Sequence, residues 1–193
     1  MVSNQLKEFT ENIFRLPEAE WQAFAAIWQP FSCRRKTMLT APGETERYLY
    51  FVLEGLQRSY YIGENGEEAT IVFTYPPSFS GVADSFLTQT PSLYFFETLT
   101  ASNFLRTTYV QLDDLMNRYP AIQKMILKAT AAALKGVLQR QIELQCFSAE
   151  EKFKTLLRRS PHVLQIIPHK YLASYLGIDP ATFSKLLGTV RLS

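Results

Sequence analysis

PHKYLASYLGIDPATFSKLLGTV, Pro168 to Val190, reads as two short helices hinged on Gly177. Leu172 and Ala173 precede that glycine by five and four residues, Leu176 and Ile178 flank it, and Phe183 and Leu186 follow six and nine later. Two helices that cross steeply need apolar contacts at those offsets, with a small residue, here Ala173, where the backbones approach. A left-handed residue between helices costs least when it is glycine. Asp179 is placed to cap the second helix, and Pro180 fits its first turn, where no amide donor is needed. The spacing is that of a helix-turn-helix, whose second helix enters the major groove of DNA. An ordinary helical hairpin in a structural domain is the alternative.

The rest of the chain bounds this reading. Its 193 residues carry a formal charge of +2, and 47% are hydrophobic. That allows one large domain, or a medium one with a small appendage. No apolar run approaches the roughly 20 residues of a membrane span. The start, MVSNQLKEFTENIF, has no basic region leading into an apolar stretch, so no signal peptide is expected. Cys33 and Cys146 are far apart, and the expectation is a cytoplasmic chain with reduced thiols. Charge is unevenly placed. Residues 1–150 hold 13 Lys and Arg against 16 Asp and Glu, a balance of −3; residues 151–193 hold 7 against 2, a balance of +5. The positive segment is the one with the hinged helices, which suits a polyanionic partner.

Residues 3–29 have helical spacing, with a second helix starting at Pro17 and lined by Trp21, Phe24, Ala25 and Trp28. From Pro30 short β-branched and aromatic runs alternate with turns: Lys36–Leu39, Tyr48–Glu54, Gln57–Ile62, Glu68–Phe73, Tyr94–Thr100 and Asn103–Val110. Gly63-Glu64-Asn65-Gly66 predicts a hairpin turn. Asp113 reopens helical structure, and a long helix is predicted from Pro120 to Cys146. Its stripe of Ile122, Ile126, Ala129, Ala133, Val137 and Leu144, interrupted by Arg140 and Glu143, predicts a dimer seam or a face packed on the chain's own core. Ser148-Ala149-Glu150-Glu151 predicts a capped helix start. The fold class is α+β: N-terminal helices and an antiparallel β-roll of the cupin-like jelly-roll kind, a dimerisation helix, and a small helical C-terminal domain. The expected segments are 1–118 for the roll, 119–147 for the dimerisation helix and 148–193 for the helix-turn-helix.

In this order of elements, Tyr48-Leu49-Tyr50-Phe51-Val52-Leu53-Glu54-Gly55 and the turn Pro42-Gly43-Glu44 are distinctive. The chain resembles, over nearly its whole length, the cyclic AMP receptor protein and fumarate-nitrate regulator family of bacterial transcription factors. Ser85-Phe86-Leu87-Thr88 followed by Pro91-Ser92 is similar to short members of the kind common in the Bacteroidetes. The resemblance implies a ligand site in the roll at Phe79, Gly81, Val82, Asp84, Ser92 and Tyr94. It also implies DNA contacts from Lys170, Pro180, Ala181, Thr182, Ser184, Lys185 and Arg191.

The implied ligand site departs from the family. Nucleotide-binding members hold the phosphate with backbone amides at a short helix, a Gly-Glu pair for the ribose, and an Arg followed by Ser or Thr. Here Val82 stands where Glu belongs, Asp84 is displaced, and no Arg lies around Ser92-Leu93-Tyr94; the nearest is Arg106. Burying the phosphodiester without its guanidinium forfeits about 2–5 kcal/mol. Cyclic AMP is therefore not expected. Phe79, Phe86, Tyr94 and Phe96 either face a more apolar effector or are simply core. Two distant cysteines do not make an iron–sulfur cluster, and the roll has no histidine for haem or a metal centre. No cofactor, no metal site and no enzymatic chemistry are expected.

The implied DNA face departs too. Well-characterised members place Arg and Glu where Pro180 and Ala181 stand. Lys185 is left as the charged contact, Ala181 and Thr182 suit thymine methyls, and Gly188 weakens the helix by about 1 kcal/mol against Ala. The expected function is a cytoplasmic, homodimeric DNA-binding regulator with an unknown small-molecule effector and no membrane partner. The alternative is a ligand-binding or protein-interaction module of the same fold that has lost DNA binding.

Overall fold

The computed structural model describes residues 2–190. Helices α1 (Val2–Ile13) and α2 (Glu18–Ala26) come first, with Pro17 just before α2 and Glu18 and Glu20 in its first turn. Acids there complement the free amide ends. The roll follows: β1 (Gln29–Cys33), β2 (Met38–Thr40), β3 (Tyr48–Glu54), β4 (Gln57–Ile62), β5 (Glu68–Thr74), β6 (Ser78–Ser80), the short α3 (Ala83–Thr88), β7 (Phe95–Thr98) and β8 (Ser102–Thr108). These form two four-stranded sheets, ordered β1-β8-β3-β6 and β2-β7-β4-β5.

Strand alternation sorts two cores. On β3, Phe51 packs with the helices, while Tyr50 and Val52 turn into the roll. On β8 the facing residues do the same: Leu105 lies opposite Phe51, and Phe104 opposite Val52. The helical core gathers Leu6, Trp21, Phe24 and Trp28 with Leu112, Leu115, Ile122 and Met125. The roll core is Tyr50, Val52, Val82, Phe96 and Phe104. At Gly55, which follows β3, φ is +98° and a Cβ would lie 2.6 Å from the Ala101 carbonyl oxygen. Only glycine fits that crossing of strands.

Several boundaries differ from the sequence reading, each for a local reason. Helix α4 (Tyr109–Arg118) starts at Tyr109 rather than Asp113, because Thr108 caps it. The Gln111 amide donates to Thr108 Oγ1 at 3.3 Å, and Gln111 Oε1 accepts from the Thr108 amide at 3.3 Å. Of the Asn65-Gly66 pair, only Gly66 takes positive φ, at +79°. The strand β6 and helix α3 were too short to show a period.

Helix α5 spans Pro120–Cys146 as predicted, and α6 (Ala149–Arg159) starts from the Ser148–Glu151 capping box. A four-residue turn, α7 (Val163–Ile166), leads to α8 (His169–Leu176) and α9 (Pro180–Thr189). Among the described residues no helix is long and apolar enough to cross a membrane. The chain forms two compact units. One holds the chain up to Ser59 together with Phe73–Ala133; the other holds Tyr60–Val72 and the chain from Leu134 on. The cuts fall inside α5 and across the β4–β5 hairpin, not at residues 118 and 147. The hairpin tip therefore groups with the C-terminal helices.

Candidate functional site

Helix α8 ends where Gly177 turns left-handed, at φ 60° and ψ 42°. The Ile178 amide then donates to the Ala173 carbonyl at 3.1 Å, and the Gly177 amide to Ser174 at 3.0 Å. These bonds close the last turn of α8. Asp179 accepts from the Thr182 amide at 2.9 Å, and Pro180 opens α9. The Thr182 hydroxyl and amide hold the Asp179 carboxyl below the usual carboxylate range. Leu172, Ala173, Leu176 and Phe183 are all buried. The Phe183 ring meets Phe153 of α6 edge-on, with centroids 5.4 Å apart. Two hinged helices on a third, as the spacing predicted, is what the residues build.

The outward face of α9 is as its sequence suggested. Pro180, Ala181, Ser184, Lys185 and Gly188 are exposed, and Thr182 is half-buried. The Ser184 hydroxyl donates to the Pro180 carbonyl at 2.9 Å. Lys170, exposed in the first turn of α8, has its Nζ 4.7 Å from the Tyr171 ring centroid. Arg191 lies outside the described residues.

Arg140 and Glu143 do not interrupt a dimer seam. Both are buried, and Arg140 Nη1 donates to Glu143 at 2.9 Å. Its other amino group donates to the Tyr175 carbonyl of α8, and the guanidinium stacks 4.2 Å from the Tyr175 ring centroid. Arg159 of α6 pairs with the same Glu143. This network fastens the hinged helices to the C-terminal half of α5. The sequence signal for it is two opposite charges at i and i+3 breaking an apolar run, which by themselves name no partner.

The expected stripe is split: Ala133, Val137 and Leu144 are exposed, the last two at 61 and 39%. Ile122 and Ile126 of the expected stripe are buried in the chain's own helical core, with Met125. Leu127, Leu134, Leu138 and Ile142 are exposed too, at 68, 56, 56 and 56%. At about 100° per residue these four and Ala131 fall within about 80° of one another, nearly opposite Arg140 and Glu143.

The residues expected at the ligand site do not line one space. Phe79 belongs to the helical core, stacked on Trp28 at 5.8 Å, and Phe86 joins the same cluster. Phe96 is in the roll core, with Tyr94 packed on its edge. Ser92 is buried, its hydroxyl donating to the Tyr94 carbonyl at 2.8 Å. Asp84 is exposed in the first turn of α3. Gly81 and Val82 do lie beside a polar group that the sequence reading missed. Glu46 is buried; one carboxylate oxygen accepts from Thr40 Oγ1 at 2.7 Å and from the Val82 amide at 3.3 Å. The other accepts from the Tyr48 amide at 3.3 Å. Burial pushes this carboxyl above the usual range, against those hydrogen bonds. A Cβ at Gly81 would meet Tyr48 O at 3.2 Å and Glu46 Oε2 at 3.6 Å. The chain's own groups thus fill the ground around Gly81. The Arg106 guanidinium sits between the Phe31 and Tyr48 rings, 4.0 and 4.1 Å from their centroids. Among the described residues no three of His, Cys, Asp and Glu gather as a metal site.

Comparison with known proteins agrees with this architecture. Residues 30–119 match the cyclic nucleotide-binding domain. The chain is 27% identical over 162 residues to the fumarate and nitrate reduction regulatory protein of Vibrio cholerae, covering 78% of this chain and 64% of that protein. It is 25% identical over 171 residues to the regulatory protein HlyX of Actinobacillus pleuropneumoniae, covering 83% and 70%. The structure of FixK2 from Bradyrhizobium japonicum superposes with a TM-score of 0.75 at 18% identity, over 84% of this chain and 83% of that one. The chain thus spans about two-thirds of the length of the curated relatives. In its roll, long helix and hinged C-terminal helices, taken in this order, the chain is similar to the Crp/Fnr family of transcription regulators.

Proposed function

We propose that the chain is a cytoplasmic, homodimeric regulator that binds DNA through α8 and α9, and that its roll responds to an effector other than cyclic AMP. The carrying observation is the Gly177 hinge with its buried quartet Leu172, Ala173, Leu176 and Phe183, which leaves Lys185 and Ser184 facing outward. The excess of positive charge on residues 151–193 supports a polyanionic partner. The exposed leucines of α5 support a second copy as its cover, since a two-fold dimer presents two recognition helices to adjacent half-sites. Val82, the stacked Arg106 and the buried Glu46 weigh against a cyclic nucleotide in the roll. Neither an iron–sulfur cluster nor haem enters this reading, and no enzymatic step does.

A second reading, a module of the same fold without DNA binding, is favoured by the side chains of Pro180 and Ala181, which carry no hydrogen-bonding group. Fluorescence anisotropy with the promoter region of its own operon, across a salt series, separates the two. Lys185→Ala should weaken binding and blur sequence preference. Lys170→Ala should weaken all sequences alike and reduce the salt slope by about one. Absence of binding even at low salt overturns the DNA-binding reading.

A further inference from the structure

Strand β5 lies at the edge of its sheet, ordered β2-β7-β4-β5. An edge strand presents backbone donors and acceptors sideways, without a neighbouring strand to take them. Ser174 of α8, more than a hundred residues away, answers one such pair with a single hydroxyl. Its Oγ donates to the Glu68 carbonyl at 2.9 Å and accepts from the Thr70 amide at 2.9 Å. Serine can do both at once because its hydroxyl has one proton and two lone pairs. Thr70 is buried there, and the hairpin tip and α8 belong to the same compact unit.

The hairpin so held is acidic. Glu64, Glu67 and Glu68 are exposed on it, and no Lys or Arg occurs between Tyr60 and Val72. Ser174 follows Lys170 by four residues, so the two share a face of α8, about one 5.4 Å turn apart. The backbone of Glu68 is therefore pinned one helical turn from a lysine offered to a DNA phosphate. A carboxylate within the roughly 8–10 Å Debye length of a lysine competes with phosphate for it.

We propose that the β4–β5 hairpin is an electrostatic latch on the DNA-binding helices, and that Ser174 is the positioning residue that closes it. The proposal rests on the DNA-binding reading above. A closed latch holds negative charge against α8 and weakens DNA binding; an open one releases it. The hairpin is continuous at Ser59 and Phe73 with the rest of β4 and β5. A change in the roll that shifts those strands thus has a direct backbone route to the latch.

Three full-length variants test this, with anisotropy on mixed-sequence duplex DNA and hydrogen exchange at the Thr70 amide. Ser174→Ala should speed exchange at Thr70 and tighten DNA binding by about three- to tenfold at low salt, the gain shrinking as salt rises. Ser174→Thr keeps the hydroxyl and should match the native chain in both readouts. Glu67→Gln with Glu68→Gln should tighten binding without speeding Thr70 exchange, because the latch stays closed while two of its three carboxylates are neutral. A native chain that binds DNA beside a Ser174→Ala variant with unchanged or weaker affinity overturns the latch and leaves the DNA-binding reading standing. No binding by any variant overturns both.

Discussion

Gly177 and Glu46 show how much a single position decides in this chain. At Gly177 the left-handed backbone and the Leu144 methyl 3.2 Å from an added Cβ act together. Gly177→Ala should cost about 1–2 kcal/mol from backbone strain, read as a lowered urea midpoint. Leu144 must also give way, so the loss should fall at the upper end. Glu46 acts through its proton. Its folded-state pKa is raised from the ordinary 4.5 by burial, so the folded chain holds that proton more tightly than the unfolded chain does. Its contribution to stability is full below the ordinary value and is lost as pH rises through the raised one. Tyr50 nearby is pushed far above its usual range by burial and by the Glu46 charge, so it stays neutral and adds nothing to that window. Glu46→Gln should flatten this part of the stability curve. Denaturation midpoints of both proteins, measured from acid to neutral pH, give the comparison; equal slopes would show that Glu46 does not titrate there.

Helix α5 carries two different faces along one length. Ile122, Met125 and Ile126 close the helical core, and, in the other compact unit, Arg140 and Glu143 hold α6 and α8. The other side presents Leu127, Leu134, Leu138 and Ile142 to solvent. An exposed stripe of that kind is costly unless covered. Leu134→Glu with Leu138→Glu should turn the proposed dimer into a monomer in sedimentation while leaving the far-ultraviolet circular dichroism unchanged. Ala129→Glu with Ala133→Glu, on the stripe read from the sequence, should perturb assembly less. A native chain that is monomeric at tens of micromolar would remove the dimer. Periodicity found this helix, both its ends and its apolar character. It did not tell the two faces apart, because a 27-residue helix that is small or apolar on most sides has no single stripe to read.

For the molecule as a whole, the question is what its roll senses. Cyclic AMP and cyclic GMP should give no heat of binding in calorimetry at physiological concentrations, since the Val82 amide already bonds Glu46 and Arg106 is stacked between two rings. A dissociation constant near micromolar for either would overturn that expectation. The aromatics read from strand spacing divide between two cores. Phe79 and Phe86 face the helices while Tyr94 and Phe96 face the roll, although all four sit in one run of sequence.

The sequence by itself determined the elements and their order. Gly177 with Asp179 and Pro180, Ser148 with Glu151, and the limits of β3, β4 and α5 are local matters of dihedral angle, capping and period, and those are written in neighbouring residues. It also determined the departures from the family that the chain resembles, Val82 and the Pro180-Ala181 pair, which are residue identities. Only the tertiary structure decided which face of α5 is covered, that Arg140 and Glu143 hold α6 and α8, that Glu46 is buried against Val82, and that Ser174 bonds Glu68 and Thr70. Each joins residues distant in the chain through geometry that no local pattern encodes. A charged or hydroxyl side chain looks the same in sequence whether it faces water or a partner a hundred residues away.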